Sequence, residues 1–183
     1  MKITRIALLP VIAVALSACG GMAHKNMSSY SQAGLPDSIK VPSGNKVAME
    51  TVGTGDITYE CRAKANAMGQ TEWAFVGPDA ILKDRMGRQV GTYYGPPATW
   101  ESSDGSKVTA TQLAVAPSGQ GNLPYQLVKA NPAMGSGAMT GVTYIQRVAL
   151  KGGVAPMMPC TSANIGAKQV VKYQADYIFW KVM

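Results

Sequence analysis

The side chains able to do chemistry in this chain are few: one histidine, three cysteines and ten carboxylates among 183 residues. His24 lies in a Gly- and Ser-rich stretch near the N-terminus, so the body of the protein downstream of it holds no imidazole. That excludes Ser-His-Asp and Cys-His nucleophilic catalysis, and the His-rich zinc sites of most metallohydrolases. Paired carboxylates are the hydrolytic chemistry left, since glycoside cleavage needs one acid of raised pKa and a second within about 5–10 Å. Glu101 and Asp104 are close in sequence and stand beside Trp100, whose indole offers a sugar-stacking face. Against this, Asp104-Gly105 is turn chemistry, and Glu101 suits the outward position of a strand. Tyr93, Tyr94, Trp100 and Glu101 flank a Pro96-Pro97 corner, an arrangement suited to a surface platform for a glycan or a protein partner. Aromatic residues more commonly fill a core than form such a platform. Met134, Met157 and Met158 sit in loop-like surroundings, but no M-x-M or M-x-x-M array with a histidine accompanies them, so neither a copper site nor any other metal or cofactor is expected.

The N-terminus carries an export pattern. Lys2 and Arg5 precede an apolar run over residues 6–16, followed by the small residues Ser17 and Ala18. The run has 11 residues and contains Pro10, against the roughly 20 apolar residues a membrane-spanning helix needs. Leu16, Ser17, Ala18 and Cys19 stand in the order of a bacterial lipobox, so this segment resembles the start of a lipoprotein cleaved before an acylated cysteine. Cleavage after Ala23 is the alternative, and it would discard Cys19. The cysteine count favours the first reading. Exported chains pair their thiols, and three is an odd number. A Cys61–Cys160 disulfide leaves Cys19 for lipid, and two or more acyl chains anchor a protein stably where one holds it marginally. Gly20 follows the cysteine, where the lipoprotein resemblance associates Asp with retention in the inner membrane, so the outer membrane is expected. Loss of residues 1–18 removes Lys2 and Arg5 from a formal net charge of +7, leaving +5 with no dense basic run. Nucleic acid is therefore not an expected partner.

These residues are positioned by short β-rich segments. Residues 1–18 read as a signal peptide, 19–40 as a flexible polar tether, and 41–183 as one β-rich domain of ordinary size. In "DITYECRA" the residues Ile57, Tyr59 and Cys61 alternate with polar ones, as a half-buried strand requires. "AILKDRMGRQVGTYY" predicts a hairpin turning near Gly87, and "TWESSDGSKVTATQLAVA" another turning at Asp104-Gly105. Tyr173, Ala175, Tyr177 and Phe179 mark the inner face of a last strand. No stretch of helical length shows an apolar face at i, i+3 and i+4. The fold class is all-β, a single antiparallel β-sandwich or small β-barrel, with room for one short helix in "APMMPCTSANIGAKQ" before the last strand.

Six segments carry a wider likeness: "VPSGNKVAMETVGTGDITYEC", "WAFVGPDAILKD", "TWESSDGSKV", "VTYIQRV", "GGVAP" and "ADYIFW". In this order they resemble a family of exported proteins from bacteria and fungi known only as a domain of unknown function. The resemblance spans residues 41–180 and implies a secreted or surface-attached β-rich domain without an assigned catalytic residue. Relatives often carry a histidine before the Gly-Pro-Trp-Glu region. Here Tyr93 occupies that place and "GPPATWE" holds an extra residue, so a function needing that imidazole is not expected. Some fungal relatives bear dehydrogenase names, but "GSGAMTG" lacks the G-x-G-x-x-G spacing of a dinucleotide fingerprint.

The expected protein is a lipid-anchored envelope lipoprotein whose disulfide-bridged domain acts as a non-catalytic binding or structural module. Its expected partners are the bilayer, through acylated Cys19, and a glycan or envelope protein. A carboxylate-dependent enzyme acting on cell-wall or extracellular glycan is the alternative.

Overall fold

The computed structural model describes residues 30–183. The expected signal peptide, Cys19, His24 and the expected tether up to residue 29 lie outside the described residues. Eight strands follow one another around a closed antiparallel barrel in sequence order. They are β1 (Asn45–Ala63), β2 (Thr71–Lys83), β3 (Gln89–Tyr94), β4 (Thr99–Ser102), β5 (Lys107–Ala116), β6 (Tyr125–Ala130), β7 (Val142–Gly152) and β8 (Lys168–Val182). Closure comes from β1, which pairs β2 on one side and β8 on the other. Of the two architectures expected from sequence, the chain adopts the barrel. The turns fall where the sequence puts them, with Gly87 and Gly105 at φ of 83° and 86°. The helix allowed before the last strand is a single 3₁₀ turn, Ser162–Asn164.

Two cores hold the barrel. The inner one fills the lumen with Ile57, Leu82, Tyr93, Trp100, Tyr177 and Phe179 among others. Eight strands leave a lumen about wide enough for side chains, or for side chains and one small ligand. The second core lies outside. In β8 the inward Tyr177 and Phe179 alternate with Ile178 and Trp180, and all four are at most 7% exposed. Ile178 and Trp180 are covered by Ile39 and Val41 from the segment that precedes β1, together with Leu127 and Val148.

That covering segment corrects the expected tether over residues 19–40. Its described part, residues 30–40, is packed on the barrel, and Ile39 is 0% exposed. Gln146, also fully buried, holds it by polar contacts. The Gln146 side-chain amide donates to Ile39 O at 2.7 Å and to Gln32 Oε1 at 3.1 Å, while its carbonyl accepts the Trp180 indole N–H at 3.0 Å. Gln32 in turn donates to Val41 O at 3.0 Å and accepts from Val41 N at 2.8 Å. Polar side chains in this segment therefore satisfy backbone groups that burial would otherwise orphan.

Cys61 and Cys160 are disulfide-bonded, with an S–S distance of 2.02 Å and Cα atoms 5.4 Å apart. The bond ties the end of β1 to the long β7–β8 connection. Thr71 Oγ1 reinforces it by donating to Cys160 O at 2.6 Å, and the Trp73 indole donates to Met158 O at 2.8 Å.

Candidate functional site

Strand alternation splits the expected surface platform. β3 and β4 pair Tyr93 with Trp100 and Thr92 with Glu101. Tyr93 and Trp100 point into the lumen, where they are 5% and 2% exposed and stack with ring centroids 4.5 Å apart. Tyr94 and Glu101 face outward, and the Tyr94 hydroxyl donates to Glu101 Oε2 at 2.6 Å. Adjacent residues on a strand cannot share a face, so Tyr93, Tyr94, Trp100 and Glu101 form no common surface. Asp104, the other half of the sequence's carboxylate pair, is fixed in the β4–β5 turn. It accepts from Ser106 Oγ at 2.6 Å, Ser106 N at 2.9 Å and Ala138 N at 2.7 Å. These bonds to the ionised form lower its pKa to about 2, led by the Ser106 hydroxyl. A carboxyl held ionised in this way is unsuited to act as a general acid.

A different site forms where two strands stop early. The Gly95-Pro96-Pro97 run ends β3, because proline has no N–H to give the ladder. As a result β2 gains its first β3 partner only at Asp79, leaving residues 71–78 without one on that side. Likewise the β4–β5 pairing runs only from Glu101↔Lys107 to Thr99↔Thr109, so residues 110–116 of β5 extend past it. The wall is therefore notched between β2 and β5 at the disulfide end of the barrel. A cavity of about 420 Å³ opens there, its lining drawn from strands on every side of the notch, including Tyr59, Phe75, Trp100, Gln112, Gln126 and Arg147. This volume falls in the range of small-molecule sites. Phe75 and Val115, at 50% and 46% exposure, make its mouth apolar.

The lining is asymmetric in charge. Arg147 lies opposite Gln126 on β6 and Tyr177 on β8, which places it on the inner face. Its Nη2 donates to Pro124 O at 3.0 Å, its buried Nε has no partner, and it makes no ion pair among the described residues. Around it stand Tyr59, whose hydroxyl donates to Gly153 O at 2.7 Å, and a contiguous group of Tyr93, Tyr173 and Tyr177. Burial raises the pKa of all four phenols and the Arg147 charge only partly opposes it, so they are neutral at physiological pH. The Trp100 indole N–H, in the same wall, also lacks an acceptor. Gln126 and Gln112 bond to each other at 2.6 Å. The arrangement offers an apolar entrance, aromatic walls and one cation, and two of the lining residues, Trp100 and Arg147, also carry a buried N–H without an acceptor among the described residues. No residue lining it is acidic.

Trp100 and Tyr93 thus belong to the site from its inside, whereas Tyr94 and Glu101 do not. Arg147, Gln112, Gln126 and Phe75 escaped the sequence reading. In "VTYIQRVAL" both alternating sets contain apolar residues, so the inward register of Arg147 becomes visible only once Tyr144 and Val148 are seen to pack outside under the N-terminal segment. Among the described residues no group of three or more His, Cys, Asp or Glu could hold a metal ion. No helix is long and apolar enough to cross a membrane among the described residues.

No curated protein and no solved structure matches the chain. A family described as proteins of unknown function, DUF3455, matches residues 42–181, from just before β1 to nearly the end of β8. The barrel, with its disulfide and its notched wall, is thus nearly coextensive with the matched region, and the chain belongs to that family.

Proposed function

We propose that this protein is an exported, lipid-anchored envelope protein that binds a small molecule in its barrel without transforming it. The observation that carries the binding role is the cavity of about 420 Å³ behind the notch between β2 and β5. Its apolar mouth favours entry of an apolar group, and its aromatic walls offer contact area at low entropic cost. A glycan-cleaving enzyme would need two acids facing one substrate, and the lining supplies none. Export and anchoring rest on the pattern of residues 1–19, with acylated Cys19 as the membrane contact and Gly20 favouring the outer membrane.

Binding is tested with N-phenyl-1-naphthylamine, a neutral apolar fluorophore, titrated against the full chain in non-ionic detergent. Saturable energy transfer from the tryptophans is expected, and Ala110→Phe, which places a ring in the cavity lining, should abolish it. Transfer unaffected by Ala110→Phe would reject the cavity as the site. Anchoring is tested by intact mass of the membrane fraction, expected to show cleavage before Cys19 plus acyl mass. Cys19→Ala should leave the membrane, and an unchanged distribution would reject lipidation.

A further inference from the structure

Resting on the cavity reading above, we infer that the ligand is a small amphipathic anion, with a carboxylate or related acid group held by Arg147 and a planar apolar body lying in the aromatic part of the cavity. Four buried side-chain polar atoms among the described residues have no hydrogen-bond partner, although one of them, Asp56 Oδ1, is ion-paired with Lys172 at 2.7 Å. Two of them, Trp100 Nε1 and Arg147 Nε, belong to residues lining this one cavity, and both are N–H donors. Tryptophan and arginine carry no acceptor, so the imbalance is one of missing acceptors and not of missing polar atoms in general.

The charge sharpens this. A guanidinium stays protonated at any physiological pH, so burial cannot be relieved by losing a proton as it can for lysine. A partly buried charge of this kind is normally matched by a carboxylate. Among the described residues the only acceptor supplied is the carbonyl of Pro124, at 3.0 Å. The neighbouring tyrosines are neutral, with the Tyr59, Tyr173 and Tyr177 hydroxyls hydrogen-bonded, and the Gln112–Gln126 pair is bonded to itself. An acid group, carboxylate or sulfonate, completes the site, because two of its oxygens can accept from the guanidinium fork. Phe75 and Val115 at the mouth and the stacked Tyr93–Trp100 pair inside then call for an apolar, preferably flat, remainder. The formal net charge, +7 for residues 1–183 and +5 once Lys2 and Arg5 are removed with residues 1–18, favours approach of an anion over a cation.

The test compares two probes on the full chain in non-ionic detergent. 8-Anilinonaphthalene-1-sulfonate and N-phenyl-1-naphthylamine share a ring system and differ by one sulfonate. Wild type should bind the sulfonate at least tenfold more tightly, the equivalent of 1.4 kcal/mol, with both probes blocked by Ala110→Phe. Arg147→Gln should bring the two affinities within threefold while leaving the neutral probe bound, and Arg147→Lys, which keeps the charge but loses the fork, should fall between. Equal affinities in wild type would overturn the inference and leave the cavity reading standing. Retention of the tenfold preference in Arg147→Gln would also overturn it. Failure of both probes to bind would remove the cavity reading, and the inference with it. If Arg147→Gln does not fold, the wild-type ratio decides alone: tenfold supports the inference and equality overturns it.

Discussion

Replacing Gln146 with leucine isolates the polar clasp between the N-terminal segment and the barrel. The side chain is fully buried and similar in size to leucine, so the change removes hydrogen bonds with little change of volume. It orphans two groups that have nowhere to turn: the indole N–H of Trp180, 7% exposed, and the carbonyl of Ile39, 0% exposed. Gln32 is only partly buried, and its Oε1 still accepts from Val41 N. An orphaned buried donor or acceptor costs about 1–3 kcal/mol, so the two together cost about 2–6 kcal/mol, and the apolar leucine returns about 1 kcal/mol, for a net loss of about 1–5 kcal/mol. Urea unfolding should show the midpoint falling at constant m-value. Amide exchange at Val41, whose N–H is bonded to Gln32 Oε1 at 2.8 Å, should accelerate more than exchange in β1. A variant as stable as wild type within about 0.5 kcal/mol would refute the assignment of Gln146 as the element that fixes this segment.

Breaking the Cys61–Cys160 bond with Cys160→Ala releases a loop spanning a sequence separation of 99 residues. Loop entropy puts the loss at up to about 4.7 kcal/mol, and an unfolding midpoint unchanged from wild type would contradict it. Gly53→Ala would set a Cβ 2.7 Å from Tyr177 Cε2, in the middle of the packed lumen. A cost of about 1–3 kcal/mol is expected, with near-ultraviolet circular dichroism reporting the displaced ring; no change in either would refute the close approach. Tyr30 supplies a pH test, because burial, followed by the charges of Glu50 and Asp176, raises its pKa from 10.0 to about 12. Its neutral form is the one that folding favours, so this contribution is complete below pH 10 and lost as pH rises from 10 to 12. Tyr30→Phe should flatten the stability profile across that window, and an unaltered slope would exclude Tyr30 as its source.

Much of the barrel was legible because β-strands advertise themselves by local alternation and glycine turns. "DITYECRA" and the two hairpins with Gly87 and Gly105 needed no long-range information. What escaped depends on contacts distant in sequence. Residues 30–40 have the composition of a linker, and their fastening is visible only in partners distant in sequence, such as Gln146, 107 positions beyond Ile39, and Trp180. The uninterrupted apolar run "YIFW" in β8 was the one local sign that both faces are covered. The platform failed for the opposite reason: Tyr93 and Tyr94 are neighbours in sequence, and the pleat makes neighbours face apart. The cavity itself is a product of where β3 and β4 stop. The Pro96-Pro97 corner marked that point, but which side chains gather behind it follows from barrel closure.

The most direct measurement is the set of indole N–H resonances of the chain's three tryptophans, assigned with a Trp100→Phe variant and followed by nuclear magnetic resonance as 8-anilinonaphthalene-1-sulfonate is added. The Trp180 indole is bonded to Gln146 beneath the N-terminal segment, outside the lumen, whereas the Trp100 indole has no partner in the cavity wall. The expected result is a saturable shift of the Trp100 signal with Trp180 unmoved. A shift confined to Trp180, or none at Trp100 at saturation, would contradict a binding site inside the barrel.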